Sequence, residues 1–167
     1  ETYDVEADDK IKSGTGVYGV FWDASKLNGL GDIAVEQEDI LSLFWEPGIT
    51  DIQKSRNFFH VDLQENEVLI GQYPQLQGKL GSSALDLSKY MYDDKVDTND
   101  KSIVVDWYYK KNVNGKTVLH YCKYVNDVVL YATENDPECA ERGWYDHGLY
   151  PFVFDPLFIT EGTPTGF

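Results

Sequence analysis

The chain is poor in basic residues, in sulfur and in long apolar runs. Its 167 residues include 14 Lys and Arg against 29 Asp and Glu, a formal charge of −15. A phosphate-binding surface is built from Lys and Arg, so this balance excludes a simple basic interface with DNA or anionic lipid. A non-adhesive acidic wall beside DNA stays open. Cys122 and Cys139 are too few for a disulfide framework. They read as free thiols, compatible with a reducing compartment. No apolar run approaches the ~20 residues of a membrane-spanning helix. Met91 is the single methionine, and the opening Glu1-Thr2-Tyr3-Asp4 lacks the pattern of a signal peptide. The chain therefore reads as processed or as cut from something larger.

What is present is ordinary for a folded protein: 42% hydrophobic and 14% aromatic residues. A chain of this length buries about 70% of the surface it exposes when unfolded, enough for a core without staples. The first thirteen residues are polar and acidic and read as a frayed end or the stump of a preceding helix. Residues 14–167 read as one α+β domain, mainly antiparallel sheet, with a polar connector near 75–101.

The β-branched and aromatic run Val17 to Trp22 predicts a strand, followed by a loop through Asn28-Gly29. Asp32 to Glu36 alternates, with Ile33 and Val35 on one side. Ile40 to Trp45 is apolar and stops at Pro47-Gly48. Thr50 to Ser55 has the spacing of one helical turn with Thr50 as cap and Gln53 three residues on. Phe58 to Leu63 is a further strand, and Glu65 to Tyr73 a short helix with Val68, Leu69 and Tyr73 on one face, ended by Pro74. A weak helical signal lies near Ala84 to Tyr92, and Asp93 to Asp100 reads as an exposed acidic connector. The strongest pattern follows. Ile103, Val105, Trp107 and Tyr109 alternate on one face, Asn114-Gly115 supplies a type I′ turn, and Val118, His120, Cys122 and Tyr124 return on the same face. Asn126-Asp127 turns into Val128 to Thr133, completing a three-strand meander. Tyr150 to Ile159 is a last apolar run.

Several chemical motifs fail on their context. Gly14-Thr15-Gly16-Val17-Tyr18-Gly19 has the letters of a dinucleotide fingerprint, yet it lacks a preceding strand and a following helix, so a glycine turn feeding a strand is the better reading. Counted from Asp97 as a calcium loop, position five is Lys101 and position six is Ser102, which breaks the ligand pattern. Cys122, Cys139, His120 and His147 lack the close ligand pairs of a structural zinc site. No G-x-S-x-G elbow is present, and with 29 acids no carboxylate couple stands out. No catalysis, cofactor or metal is expected. Twenty-four aromatic residues (Trp 4, Tyr 12, Phe 8) either fill the core or, alternatively, stack on sugars as in a carbohydrate-binding β domain. A small metal-dependent hydrolase is a third possibility.

The block Phe44-Trp45-Glu46-Pro47-Gly48-Ile49-Thr50-Asp51-Ile52-Gln53-Lys54-Ser55-Arg56 resembles tailed-phage portal proteins, particularly those of prophages in Gram-positive bacteria. Its structural motif residues are Trp45, Pro47, Gly48, Asp51, Ile52 and Arg56. Gly14-Thr15-Gly16-Val17 with Val20 to Asp23, and Gly31-Asp32-Ile33 leading into Asp39 to Phe44, are similar to the entry into the portal wing. His147 to Phe152 and Gly162 to Phe167 are similar to the return toward the stem. The resemblance covers most of residues 14–167 and little of 75–134. It implies a wing-region fragment of a much longer protomer, without its stem helices and clip. It implies a homo-oligomeric ring, usually of twelve subunits, at one capsid vertex of the virion, assembled in the host bacterial cytoplasm. DNA would pass through without specific binding, driven by a separate terminase ATPase. Capsid or scaffold, terminase and head-completion proteins are the implied partners, and a membrane is not one. An acidic surface near DNA would then keep retention low, and neutralising Asp93 to Asp100 would alter assembly or packaging.

Overall fold

A computed structural model describes residues 7, 10, 11, 13–80 and 100–156. The expected helix near 84–92, the acidic connector as far as Asn99, and the segment 162–167 lie outside the described residues. The fold is α+β and mainly antiparallel sheet. The strands are β1 (Thr15–Asp23), β2 (Asp32–Gln37), β3 (Leu43–Trp45), β4 (Asn57–Glu65), β5 (Lys101–Val113), β6 (Lys116–Val125), β7 (Val128–Ala132) and β8 (Phe152–Pro156). Short helical segments accompany them, among them α1 (Lys26–Gly29) and α2 (Asn66–Gln72). One sheet has the order β2-β1-β8, and the other β3-β4-β5-β6-β7. By its contacts the chain divides into two compact units, residues 1–58 with 149–167, and residues 59–148.

In the first unit, Gly14 adopts φ +84° and releases the chain into β1. That is the glycine turn expected from the sequence, and only glycine takes this φ without strain. β1 pairs antiparallel with β2 (Trp22 opposite Ile33, Val20 opposite Val35) and with β8 (Tyr18 opposite Val153). Strand alternation then separates two faces. Val17, Ala34 and Phe152 lie on the inner one, each at most 5% exposed. Against them pack the rings of Phe58, Tyr150, Trp45 and Phe154. Trp22, Ile33, Val35 and Val153 lie on the outer face, about half exposed or more. The α1 segment is not a regular helix: Leu27 and Asn28 take φ +51° and +57°, so it is a left-handed turn presenting Leu27 outward.

In the second unit the meander forms as its alternation and turns predict. Asn114 and Gly115 take φ +52° and +82°, the positive pair that a type I′ hairpin requires. Asn126 at φ +53° makes the second turn. β5 and β6 pair from Val104 opposite Val125 to Val113 opposite Lys116. Between β6 and β7 the register slips by one residue, with Lys123 opposite Tyr131 but Tyr124 opposite Val129, leaving Leu130 as the extra residue of a bulge. The sheet buries residues on both sides. Trp107, Tyr109, His120 and Cys122 share one face, and Val104, Tyr108, Leu119 and Val125 the other. Val104 and Val125 form a cluster with Leu69 of α2 and Leu76, all at most 1% exposed, joined by Ile70, Tyr73, Val128 and Leu130. The α2 helix thus packs on the face of the meander opposite Trp107, Tyr109, His120 and Cys122. Leu69 and Tyr73 face inward as expected, whereas Val68 is 47% exposed and Leu76 takes its place.

Candidate functional site

The residues 45–56 form one connected loop within the first unit. Trp45 ends β3, and its indole lies nearly parallel to the Phe58 ring at 6.2 Å and edge-on to Phe154 at 5.3 Å. Pro47 and Gly48 make an exposed turn in which Gly48 takes φ +78°. A side chain at Gly48 would meet no neighbour, so the backbone angle alone selects glycine here. The following turn is a 3₁₀ turn at Ile52–Lys54, capped by Asp51, whose Oδ1 accepts from the Gln53 amide at 3.0 Å. The cap is therefore Asp51 and not Thr50: the turn starts one residue later than the spacing suggests, and a carboxylate accepts more strongly than a hydroxyl. Ile52 is buried at 7% exposure.

Glu46 closes the loop on itself. Its Oε2 accepts from the Arg56 amide at 2.8 Å, and the Glu46 amide donates to Ser55 Oγ at 3.2 Å. Ser55 is fully buried, and its hydroxyl donates to the Asn57 carbonyl at 2.6 Å. The Arg56 side chain is exposed, so its part in the block is played by its backbone.

The loop also holds the segment before β8. Gln53 accepts from the Tyr150 amide at 2.9 Å and donates to the Tyr150 carbonyl at 3.2 Å, the two-bond pattern of a strand partner made by one side chain. The Tyr150 hydroxyl donates to the Ser55 carbonyl at 2.7 Å. Burial raises the pKa of Tyr150 and the Glu46 carboxylate raises it further, so the phenol stays a donor. Of the six motif residues, the structure brings Trp45, Asp51, Ile52 and the Arg56 backbone into one packed unit. Pro47 and Gly48 only shape its turn. Gln53, Ser55 and Tyr150 carry the cross-connections. Sequence reasoning missed those roles because hydrogen bonds spanning 95 or 97 positions leave no periodic trace.

The second unit carries a separate polar cluster. Asp106 sits on β5 with a side chain only 14% exposed. Its Oδ1 accepts from the Tyr121 hydroxyl at 2.6 Å and lies 3.4 Å from Lys123 Nζ, and its Oδ2 is 3.4 Å from His60 Nδ1. Burial pushes the Asp106 carboxyl upward, but the His60 hydrogen bond, the Lys123 charge and the Tyr121 hydroxyl outweigh it and hold the pKa below the usual range. Around it Tyr121 stacks on Trp144 at 5.0 Å and adjoins Tyr108 and Tyr131. These rings cover one another, and each acid oxygen has a partner.

On the opposite face of the same sheet, His120 is wholly buried. Its Nδ1 lies 3.0 Å from Thr133 Oγ1, which also accepts from the Tyr121 amide at 3.0 Å and donates to the Tyr121 carbonyl at 3.2 Å. The hydroxyl proton is thereby directed at Tyr121, so Nδ1 carries its own proton. His120 Nε2 is left as a buried lone pair with no hydrogen-bond partner among the described residues. Burial lowers the pKa of His120. Glu134 opposes that shift and Lys111 adds to it. Tyr109 stacks over the ring at 5.5 Å and donates to Glu134 at 2.7 Å. Cys122 on the same face has its thiol pushed up by burial, which favours the protonated form. Among the described residues, no three His, Cys, Asp or Glu side chains converge as metal ligands do.

Compared with known proteins, the chain matches no family model and no curated sequence.

Proposed function

We propose that this chain is a structural, wing-like part of a tailed-phage portal protein, and that it works by presenting a rigid folded surface within a ring rather than by catalysis. One observation supports this above the others. Two of the segments with portal-like sequence, 45–56 and 147–152, are far apart in the chain, yet three hydrogen bonds join them through Gln53, Ser55 and Tyr150. A resemblance made of unrelated local matches has no reason to gather into one packed cluster. In this reading Trp45, Asp51, Ile52 and the Arg56 backbone fix the loop, and Gln53 fixes the returning strand. The acidic balance of the chain fits a wall that DNA passes without adhering, since few phosphate contacts mean little counterion release. The partners are then further copies in a ring, together with capsid or scaffold, terminase and head-completion proteins.

The test is electron microscopy of the full-length protein that contains this chain. A ring with a central channel is the expected result, and monomers alone under assembly conditions would end the proposal. Gln53→Ala in that protein should lower the yield of closed rings.

A further inference from the structure

The outer face of the β2-β1-β8 sheet is apolar, exposed and nearly without charge. Trp22 is 62% exposed, Ile33 57%, Val35 49% and Val153 52%, and the adjoining turn adds Leu27 at 61% and Leu30 at 81%. Cross-strand pairing puts the four sheet residues on one side. Together the six expose on the order of 700 Å², more than the largest apolar patch of a typical soluble monomer and close to the ~800 Å² that each partner gives to a stable interface.

Two features mark this face as built for contact. Trp22 is held in place, because its indole rests against Gly31, where a Cβ would fall 2.3 Å from Trp22 Cζ2. Gly31 takes φ +82° and leaves that space open. A large aromatic ring fixed before binding loses little entropy on binding. Leu27 takes φ +51°, an unfavourable angle for leucine, and the side chain it presents is mostly exposed.

Charge decides which partner fits. The chain carries −15, so two copies repel over most of their surfaces. On this face Asp155 is the sole charged strand position, and Lys10 Nζ neutralises it at 2.7 Å. A basic partner would be drawn to the acidic surface elsewhere. On this face a second copy meets no unpaired charged strand residue, so approach here costs little like-charge repulsion. Pairing by the β2 edge is disfavoured, because an antiparallel pair centred on Ala34 would set Asp32 against Glu36. Packing face to face avoids this.

We infer that the outer face of the β2-β1-β8 sheet, with Trp22 at its centre, docks against the same face of a second copy in a two-fold pair. The inference stands apart from the phage reading, which concerns a ring. Sedimentation velocity on the 167-residue chain over a concentration series tests it. The expected result is a reversible monomer–dimer equilibrium that tightens when salt rises from about 0.05 M to about 0.5 M, because screening removes the repulsion between like-charged copies. Ile33→Glu and Val153→Lys should each weaken it at least about tenfold with unchanged far-UV circular dichroism. Val35→Thr, which keeps the strand shape, should weaken it less and in the same direction. A chain that stays monomeric at every concentration overturns the inference. So does a dimer indifferent to all three substitutions, one that loosens with added salt, or a monomer that instead binds neutral phosphatidylcholine vesicles.

Discussion

Thr133→Val exchanges a hydroxyl for a methyl group of nearly the same size, at a site with no exposure. β7 ends at Ala132, where the chain enters a 3₁₀ turn. Beyond that point Tyr121, paired with Tyr108 of β5 on one side, has no β7 residue opposite it on the other. The Thr133 hydroxyl takes over, accepting from the Tyr121 amide at 3.0 Å and donating to its carbonyl at 3.2 Å, while His120 Nδ1 donates to the same oxygen. Valine removes all three bonds. Each is worth about 1 kcal/mol net, and more where a buried donor is left alone. The expected loss is about 3 kcal/mol, roughly a fifth to three fifths of the stability of an ordinary domain. For a chain of this size that corresponds to a fall in Tm of roughly 6–12 °C. Thr133→Ser keeps the hydroxyl and should cost only about 1 kcal/mol, for the lost methyl group. Urea titration followed by circular dichroism gives the free energies, and hydrogen exchange at the Tyr121 amide gives a local readout that valine alone should accelerate. A Thr133→Val protein within about 0.5 kcal/mol of wild type, with Tyr121 still protected, would refute the idea that one side chain finishes this strand pairing.

Other perturbations separate the remaining forces. His120 has a folded pKa below its unfolded value of about 6.5, so the unfolded state binds the extra proton; stability is full above that value and declines as pH falls through it, and urea midpoints against pH should flatten in His120→Gln. Phe58 is fully buried and stacks on Trp45, Tyr150 and Phe152, so Phe58→Ala should cost about 3–5 kcal/mol, measured by the same titration. Gly143→Ala sets a Cβ 2.4 Å from Val118 Cγ1 and 2.5 Å from the Leu119 carbonyl, which accepts from the Trp144 amide. It should cost about 2 kcal/mol or more, whereas Gly115→Ala, at similar φ with no neighbour, should cost about 1 kcal/mol; equal melting temperatures would contradict the steric part.

The meander was legible because its signals are local. Asn114-Gly115 dictates the turn, and the alternation from Ile103 to Tyr109 sets the register. The burial of Val104 and Tyr108 on the other face was not legible, because it depends on where α2 lands. The apolar run Ile40 to Trp45 divides into a 3₁₀ turn at Ile40–Ser42 and a strand of three residues, since Asp39 caps the turn by accepting from the Leu41 amide at 2.9 Å. Asp106 carries no sequence signal of its buried role. Its partners come from β4 and β6, and no spacing along β5 announces them. The turn at Pro47-Gly48 was legible, whereas the fastening of the 45–56 loop to Tyr150 was not.

The four tryptophans fall two to each unit: Trp22 and Trp45 in one, Trp107 and Trp144 in the other. Trp45, Trp107 and Trp144 are each stacked on another ring and partly sheltered. Trp22 is 62% exposed. The chain therefore carries its own optical label. A neutral quencher such as acrylamide should reach Trp22 first, removing the red edge of the emission while the blue component survives until unfolding. The outer face that carries Trp22 can thus be followed by light apart from the three sheltered rings, without adding a dye.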